Sequence, residues 1–230
     1  MSDTVSIVFP LYQGVTQLDF TGPLQFVSRV PDAKVVVASV GGRPVQSDGF
    51  AFSELAALET VERCDVLCIP GGFGCTDAMQ DAVYMAAINR LAASARYVTS
   101  VCTGSLVLAA AGLLKGKRAA CHWAWRDMLP AFGAIPDPAR VVRDGNIVTG
   151  GGVTAGIDFA LALIGEIAGE KVARTIQLGL EYAPAPPFDD GLPETASPEI
   201  REAYMERFRP ALTRRREAVM AIAAALSKAA

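Results

Sequence analysis

One cysteine in this chain stands where covalent chemistry would need it. In the stretch Ala95–Leu114 (ARYVTSVCTGSLVLAAAGLL) a β-branched run ends at Val101, Gly104 and Ser105 open a helix, and Cys102 falls at the junction. A nucleophile on such a strand–turn–helix elbow projects at the carboxyl edge of a sheet, where open α/β folds bind ligands. The helix N-terminus beside it is expected to lower the thiol pKa and favour the thiolate. Many lone cysteines are simply small buried hydrophobes, and spacing alone leaves both readings open.

Two more turns follow strands of the same kind. Gly71, Gly72 and Phe73 lie in Ile69-Pro70-Gly71-Gly72-Phe73-Gly74. Glycines there would let backbone amides approach a ligand, as an oxyanion hole requires, or would serve only a tight turn. The run lacks the spacing of a phosphate loop or a dinucleotide fingerprint. Asp19 lies in Gln17-Leu18-Asp19-Phe20-Thr21-Gly22-Pro23. It is either a turn residue or a carboxyl facing the sulfur, because three loops at one sheet edge would share one site. His122 is the single histidine, so any Cys–His dyad depends on it. A packed imidazole bonded to a carbonyl is the simpler reading. Trp123 and Trp125 read as packing. Cys64, Cys68 and Cys75 lack a second ligand pair at zinc spacing, and no metal is expected.

Positioning those residues takes a parallel sheet. Val5–Phe9, Lys34–Val40, Asp65–Ile69 and Tyr97–Val101 read as strands, apolar almost throughout, as strands covered on both faces are. Gly22–Arg29 and Asp81–Ser94 read as the helices between them, with Thr21 as an N-cap and Pro23 in the first turn. This alternation predicts a three-layer α/β sandwich with a mainly parallel sheet flanked by helices. Two hairpins are predicted, over Arg43–Phe52 and Val141–Val148. Arg118–Cys121 reads as a further short strand. Helices are expected over Thr154–Ala168, Lys171–Tyr182 and Glu199–Lys228, the last carrying Arg214-Arg215-Arg216 as a solvated face. The proline-rich stretch Ala183–Pro198 between the last two reads as an extended surface strap.

Composition narrows the class. The chain has 230 residues, 51% hydrophobic and 20% charged, with a net charge of −3. That suits a globular protein with a large core and gives no electrostatic footprint for nucleic acid. No apolar run approaches the ~18 residues of a membrane span. The start, Met1-Ser2-Asp3-Thr4, lacks the basic region of a signal peptide, so a cytoplasmic protein is expected. Five cysteines, an odd number, favour free thiols over a disulfide framework.

Leu18–Pro23 (LDFTGP), Ile69–Gly74 (IPGGFG), Thr99–Leu114, Gly150–Asp158 (GGGVTAGID) and Glu181–Phe188 (EYAPAPPF) together resemble the ThiJ/PfpI superfamily of glutamine-amidotransferase-like proteins. Within it they are most similar to the isocyanide hydratases, over residues 5 to about 220. The resemblance implies a homodimeric α/β sandwich without metal or other cofactor that adds water to R–N≡C, giving an N-substituted formamide. With no internal repeat and no linker rich enough to cut the chain, one domain is expected over 1–230, with a core over 1–182 and the strap and last helix over 183–230. Residue by residue the resemblance implies Cys102 as nucleophile, Asp19 as the acid/base carboxyl and Thr103 as a supporting hydroxyl. Gly71, Gly72 and Phe73 are expected to supply oxyanion amides, and His122 a supporting contact. Thr103 stands where the peptidase-like branch has histidine, which argues against proteolysis. Cys121 stands where the hydratases carry threonine.

Three rival readings follow from the same residues. A glyoxalase or deglycase would use the same elbow but pair the cysteine with glutamate. A ligand-sensing domain of a transcription regulator would need an appended helix-turn-helix module, and the residues after Glu181 read as a strap and one helix. A redox sensor would use an exposed thiolate of low pKa.

Overall fold

The computed structural model describes residues 4–229. Residues 1–3, on which the reading of the N-terminal start rests, lie outside the described residues. In chain order the strands are β1 (Val5–Leu11), β2 (Ala33–Ser39), β3 (Val45–Ser47), β4 (Phe50–Phe52), β5 (Ala56–Ala57), β6 (Val66–Ile69), β7 (Tyr97–Val101), β8 (Arg118–Ala119), β9 (Ile135–Pro136), β10 (Val141–Asp144) and β11 (Ile147–Gly150). The helices are α1 (Leu18–Val27), α2 (Cys75–Ala78), α3 (Ala82–Ser94), α4 (Gly104–Ala110), α5 (Ala155–Ala168), α6 (Glu170–Gly179) and α7 (Pro198–Ala229).

Seven strands form one sheet in the order β10-β11-β7-β6-β1-β2-β5. Every pairing in it is parallel except β10 with β11. β6 and β7 are buried along their whole length, which is why β6 reads as an unbroken apolar run and β7 as mostly apolar. The step from β1 to β2 runs one way across the sheet and the step from β6 to β7 the other. Right-handed crossovers then place α1 and α3 on opposite faces. α5 packs on α1, while α4 packs on β6 and β7 and α7 reaches α4 and the 3₁₀ segment Arg126–Phe132. No helix among the described residues is long and apolar enough to cross a membrane.

Strand order reverses between β1 and β6, and the carboxyl ends of β1, β6 and β7 lie side by side. That is the crevice where parallel sheets bind ligands. Local chemistry holds the frame. Asp81 caps α3 by accepting from the amides of Val83 (2.9 Å) and Tyr84 (3.1 Å). The buried hydroxyls of Tyr12 and Tyr84 donate to Pro70 O (2.8 Å) and Pro10 O (3.0 Å), fixing the strand ends beside the crevice.

The structure corrects several local expectations. Thr21 is not an N-cap: α1 begins earlier, at Leu18, and the Thr21 hydroxyl donates to Gln17 O at 2.9 Å from inside the helix. Pro23 accordingly sits in mid-helix, where its ring lies against Gly156 of α5. The strand expected over Arg118–Cys121 stops at Ala119. Residues 183–197 form neither helix nor strand, as the prolines require. The arginine triplet is only partly a solvated face. Arg215 donates to Phe73 O at 3.0 Å, and Arg216 holds both carboxylate oxygens of Asp127 at 2.8 and 2.9 Å.

Candidate active site

Three loops meet at the crevice and are laced together through the backbone. Thr16 N–H donates to Gly71 O (2.9 Å), and Gly74 N–H donates to Gly14 O (3.1 Å), joining the loop after β1 to the loop after β6. Cys102, after β7, donates its N–H to Gly150 O (3.1 Å) and Gly151 O (2.8 Å), joining it to the end of β11. Its backbone has φ +58°, the left-handed conformation that non-glycine residues seldom adopt. The turn swings the side chain out of the sheet and hands the chain directly to α4.

Asp19 lies in the first turn of α1, not in a loop, and is fully buried. Gly71 N–H donates to its Oδ2 at 3.0 Å. Its Oδ1 is buried with no hydrogen-bond partner. The Cys102 thiol is the side-chain group coupled to this carboxyl. Gly71 is a glycine for reasons of space: a Cβ there would stand 2.5 Å from Thr103 N, 2.6 Å from Asp19 Oδ2 and 2.8 Å from Cys102 Cβ. The Asp19 carboxyl and the Cys102–Thr103 turn, from two segments, can converge only because the third segment presents no side chain there.

Burial sets the charge state of the pair. It pushes the Asp19 carboxyl up to about 7, against the lowering effects of the Cys102 thiol and the Gly71 amide. It also pushes the Cys102 thiol well above its ordinary value, the Asp19 charge adding to the rise. The expected lowering by the helix N-terminus does not win. α4 has only seven residues, and of the opposing influences only the Thr103 amide acts downward. A buried carboxyl and a buried thiol in contact resist two negative charges, so the pair retains a proton at neutral pH.

The Thr103 hydroxyl bonds both polar groups of Gly72, accepting from its N–H (2.8 Å) and donating to its O (3.1 Å). Two of the three amides expected to form an oxyanion hole are occupied: the Gly71 amide serves Asp19 and the Gly72 amide serves Thr103. The Phe73 ring forms part of a cavity wall. Cys75 lies behind the site, its thiol bonded to the Thr103 hydroxyl and raised to about 11, mainly by burial.

A cavity of about 140 Å³ opens over Cys102 and Thr103. Larger depressions lie along α6 and beside β1, but neither reaches the thiol. The walls over Cys102 are His122, Trp125, Val153, Phe73, Tyr204 and Phe208. No Asp, Glu, Lys or Arg among the described residues lines it. His122 accepts from Ala124 N–H through Nδ1 (3.3 Å) and is held near pKa 4 by burial, so it is neutral. It is packed as expected, but bonded to an amide and with its ring on the cavity wall. Trp125, read from sequence as packing, also forms the wall. Tyr204 and Phe208 were not singled out from the sequence. Their i, i+4 spacing with Leu212 marks an inward helix face but not what it faces. Among the described residues no cluster of three or more His, Cys, Asp or Glu could hold a metal ion.

The sequence profile of the DJ-1/PfpI family matches residues 5–166. The isonitrile hydratase of Pseudomonas putida is 49% identical over 97% of this chain and 98% of its own length. A crystal structure of a ThiJ/PfpI family protein from Pseudomonas syringae superimposes with a TM-score of 0.89 at 41% identity, covering 95% of this chain and 90% of that one. The transcriptional regulator CdhR of Pseudomonas aeruginosa, of the helix-turn-helix type, is 32% identical over 60% of this chain but only 41% of its own length.

Proposed function

The chain belongs to the DJ-1/PfpI family, and within it we propose that it is an isonitrile hydratase, converting R–N≡C and water to R–NH–CHO. Near-full-length similarity to the Pseudomonas putida enzyme supports the activity. The observation that carries the chemistry is the buried Asp19–Cys102 pair beneath a small aromatic cavity.

The terminal carbon of an isocyanide must accept a nucleophile and a proton. The pair supplies both. With one proton between them, Cys102 as thiolate and Asp19 as acid interconvert with thiol and carboxylate by a single transfer. The sulfur bonds to the carbon as Asp19 delivers the proton to the same atom, leaving a thioimidate, R–N=CH–S–Cys102. Asp19, now a carboxylate, takes a proton from water as the water oxygen attacks that carbon. It passes the proton to nitrogen, giving R–NH–CH(OH)–S–Cys102. Collapse breaks the C–S bond, the hydroxyl proton returns to the pair, and the formamide leaves. A carboxyl whose pKa lies near 7 is matched to both donating and accepting.

Thr103 holds the Gly72 peptide in place, and the Gly71 amide orients Asp19. His122 acts as a neutral wall. The chain is proposed to work as a cytoplasmic homodimer with no cofactor and no nucleic-acid partner. Leu178 and Phe188, 82% and 78% exposed, are apolar surface suited to a second copy. Incubation with a small alkyl or aryl isocyanide should yield the formamide. No formamide from any such compound would refute the activity.

A further inference from the structure

The cavity over Cys102 has two kinds of wall. Thr103, His122, Trp125 and Val153 belong to segments that follow the sheet strands. Tyr204 and Phe208 come from α7, about a hundred residues beyond the nucleophile in the chain. The two rings lie 4.7 Å apart, and Phe208 stands 6.4 Å from Phe73, which in turn stands 6.2 Å from Trp125. These aromatic faces continue from the body of the protein onto the last helix. We propose that α7, through Tyr204 and Phe208, is the specificity wall of the site, admitting neutral isocyanides with compact apolar substituents and rejecting bulky or charged ones.

The helix is fixed well enough to act as a wall. Leu212, Val219 and Ala223 are buried in the body of the protein at the same face, one to four turns beyond Phe208. The Arg215 guanidinium lies 4.5 Å from the centroid of the Phe73 ring, while its Nε donates to Phe73 O at 3.0 Å. Arg216 grips Asp127 with two hydrogen bonds. The anchors therefore lie apart from the two rings, and trimming a ring leaves the anchors in place. The polarity of the wall supplies the second half of the selection. With no Asp, Glu, Lys or Arg lining the cavity, Arg215 held behind the Phe73 ring, and a neutral His122, a carboxylate on the substrate would meet no charged partner. That is strongly unfavourable.

This inference rests on the hydratase reading for its substrates, so the test carries a second readout that does not. Wild type, Phe208→Ala and Phe208→Trp would be assayed on methyl, cyclohexyl and naphthyl isocyanide, and on methyl isocyanoacetate against isocyanoacetate. Alkylation of Cys102 would be timed in parallel with iodoacetamide and with N-naphthyl iodoacetamide. The expected result is that Phe208→Ala raises kcat/KM for the naphthyl compound at least about tenfold relative to methyl. Phe208→Trp should shift the ratio the other way, with both effects mainly in KM, as for a group that touches the substituent and not the reacting carbon. Wild type should prefer the ester to the carboxylate by a similar factor or more. The alkylation ratio should follow the same order across the three proteins. Size ratios unchanged within twofold in turnover and alkylation would overturn the proposal, as would equal use of ester and carboxylate. If no isocyanide is turned over, the hydratase reading fails, and the alkylation ratios alone decide whether α7 forms the wall.

Discussion

Asp19 offers Cys102 a carboxyl that is half satisfied: Oδ2 accepts from the Gly71 amide at 3.0 Å, while Oδ1 is buried without a hydrogen-bond partner. The carboxyl interacts directly with the Cys102 thiol, and burial raises the pKa of both groups, so the pair holds a proton between them.

The first consequence is a pH profile. The working form of the pair holds one proton. As pH rises through about 7, the doubly protonated pair loses its extra proton, and kcat/KM for isocyanide hydration should rise with it. His122, held near 4, adds no ionisation in this range, so His122→Gln should keep the same acid limb. Rate measurements between pH 5 and 9 on both proteins check this. An acid limb near 4 to 5 would assign the titration to another group.

A second consequence concerns stability. The Asp19 pKa is raised in the folded protein, so the folded state holds a proton that the unfolded chain gives up near pH 4. Its contribution to stability is full below that pH and is lost as pH rises through about 7. A shift of that size corresponds to about 4 kcal/mol. Asp19→Asn carries no such charge and should be more stable than wild type at pH 8, with the difference shrinking toward pH 4. Denaturant midpoints at the two pH values read this directly. A difference that is constant with pH would contradict it.

A third tests the close approach at Gly71. Gly71→Ala places a methyl group 2.5 to 2.8 Å from Thr103 N, Asp19 Oδ2 and Cys102 Cβ, none of which is the free end of a flexible chain. Overpacking of this kind should cost about 1–3 kcal/mol of stability. Displacement of the pair should lower kcat by ~10²-fold, the scale seen for misplacement of about 1 Å. Far-ultraviolet circular dichroism should show the fold retained. A variant with unchanged kcat would mean the convergence of the three groups is not needed.

A fourth separates the thiols. Cys64, Cys68, Cys75 and Cys121 are buried and do not line the Cys102 cavity, with pKa values pushed up chiefly by burial. Single replacement of each by serine should leave turnover within about an order of magnitude, any loss tracking stability. Cys102→Ala should abolish it. Substantial turnover by Cys102→Ala would replace covalent catalysis with direct attack by water.

Much of this arrangement was legible in the residues. Tyr97–Val101 is a strand with the bounds its β-branched run suggests, and the elbow at Cys102 follows from the abrupt change to small residues. That parallel strands end at one edge is enough to bring Asp19, Gly71 and Cys102 together. What was not legible depends on tertiary burial. The sequence places Asp19 in a turn, as a turn residue or as a carboxyl facing the sulfur, but it lies in α1, which starts at Leu18, after a loop pinned to Gly71 and Gly74. The thiol was expected to be acidic from its helix, yet a seven-residue helix cannot offset full desolvation. The wall from α7 was invisible because periodicity shows which helix face is inward and not which cavity it closes.

Asp19→Asn tests proton transfer at the site most directly. Asparagine keeps the shape and can accept from the Gly71 amide, but it cannot release or take up a proton at neutral pH. Turnover of a small isocyanide and the rate of Cys102 alkylation by iodoacetamide, measured on the same preparation, separate proton transfer from thiol reactivity. Proton transfer by Asp19 predicts a loss of at least ~10²-fold in kcat, the usual scale for a general acid–base group, with Cys102 still readily alkylated. An Asp19→Asn protein within about tenfold of the normal rate, or about 1.4 kcal/mol of barrier, would contradict the role of Asp19 and leave bulk water as the proton source.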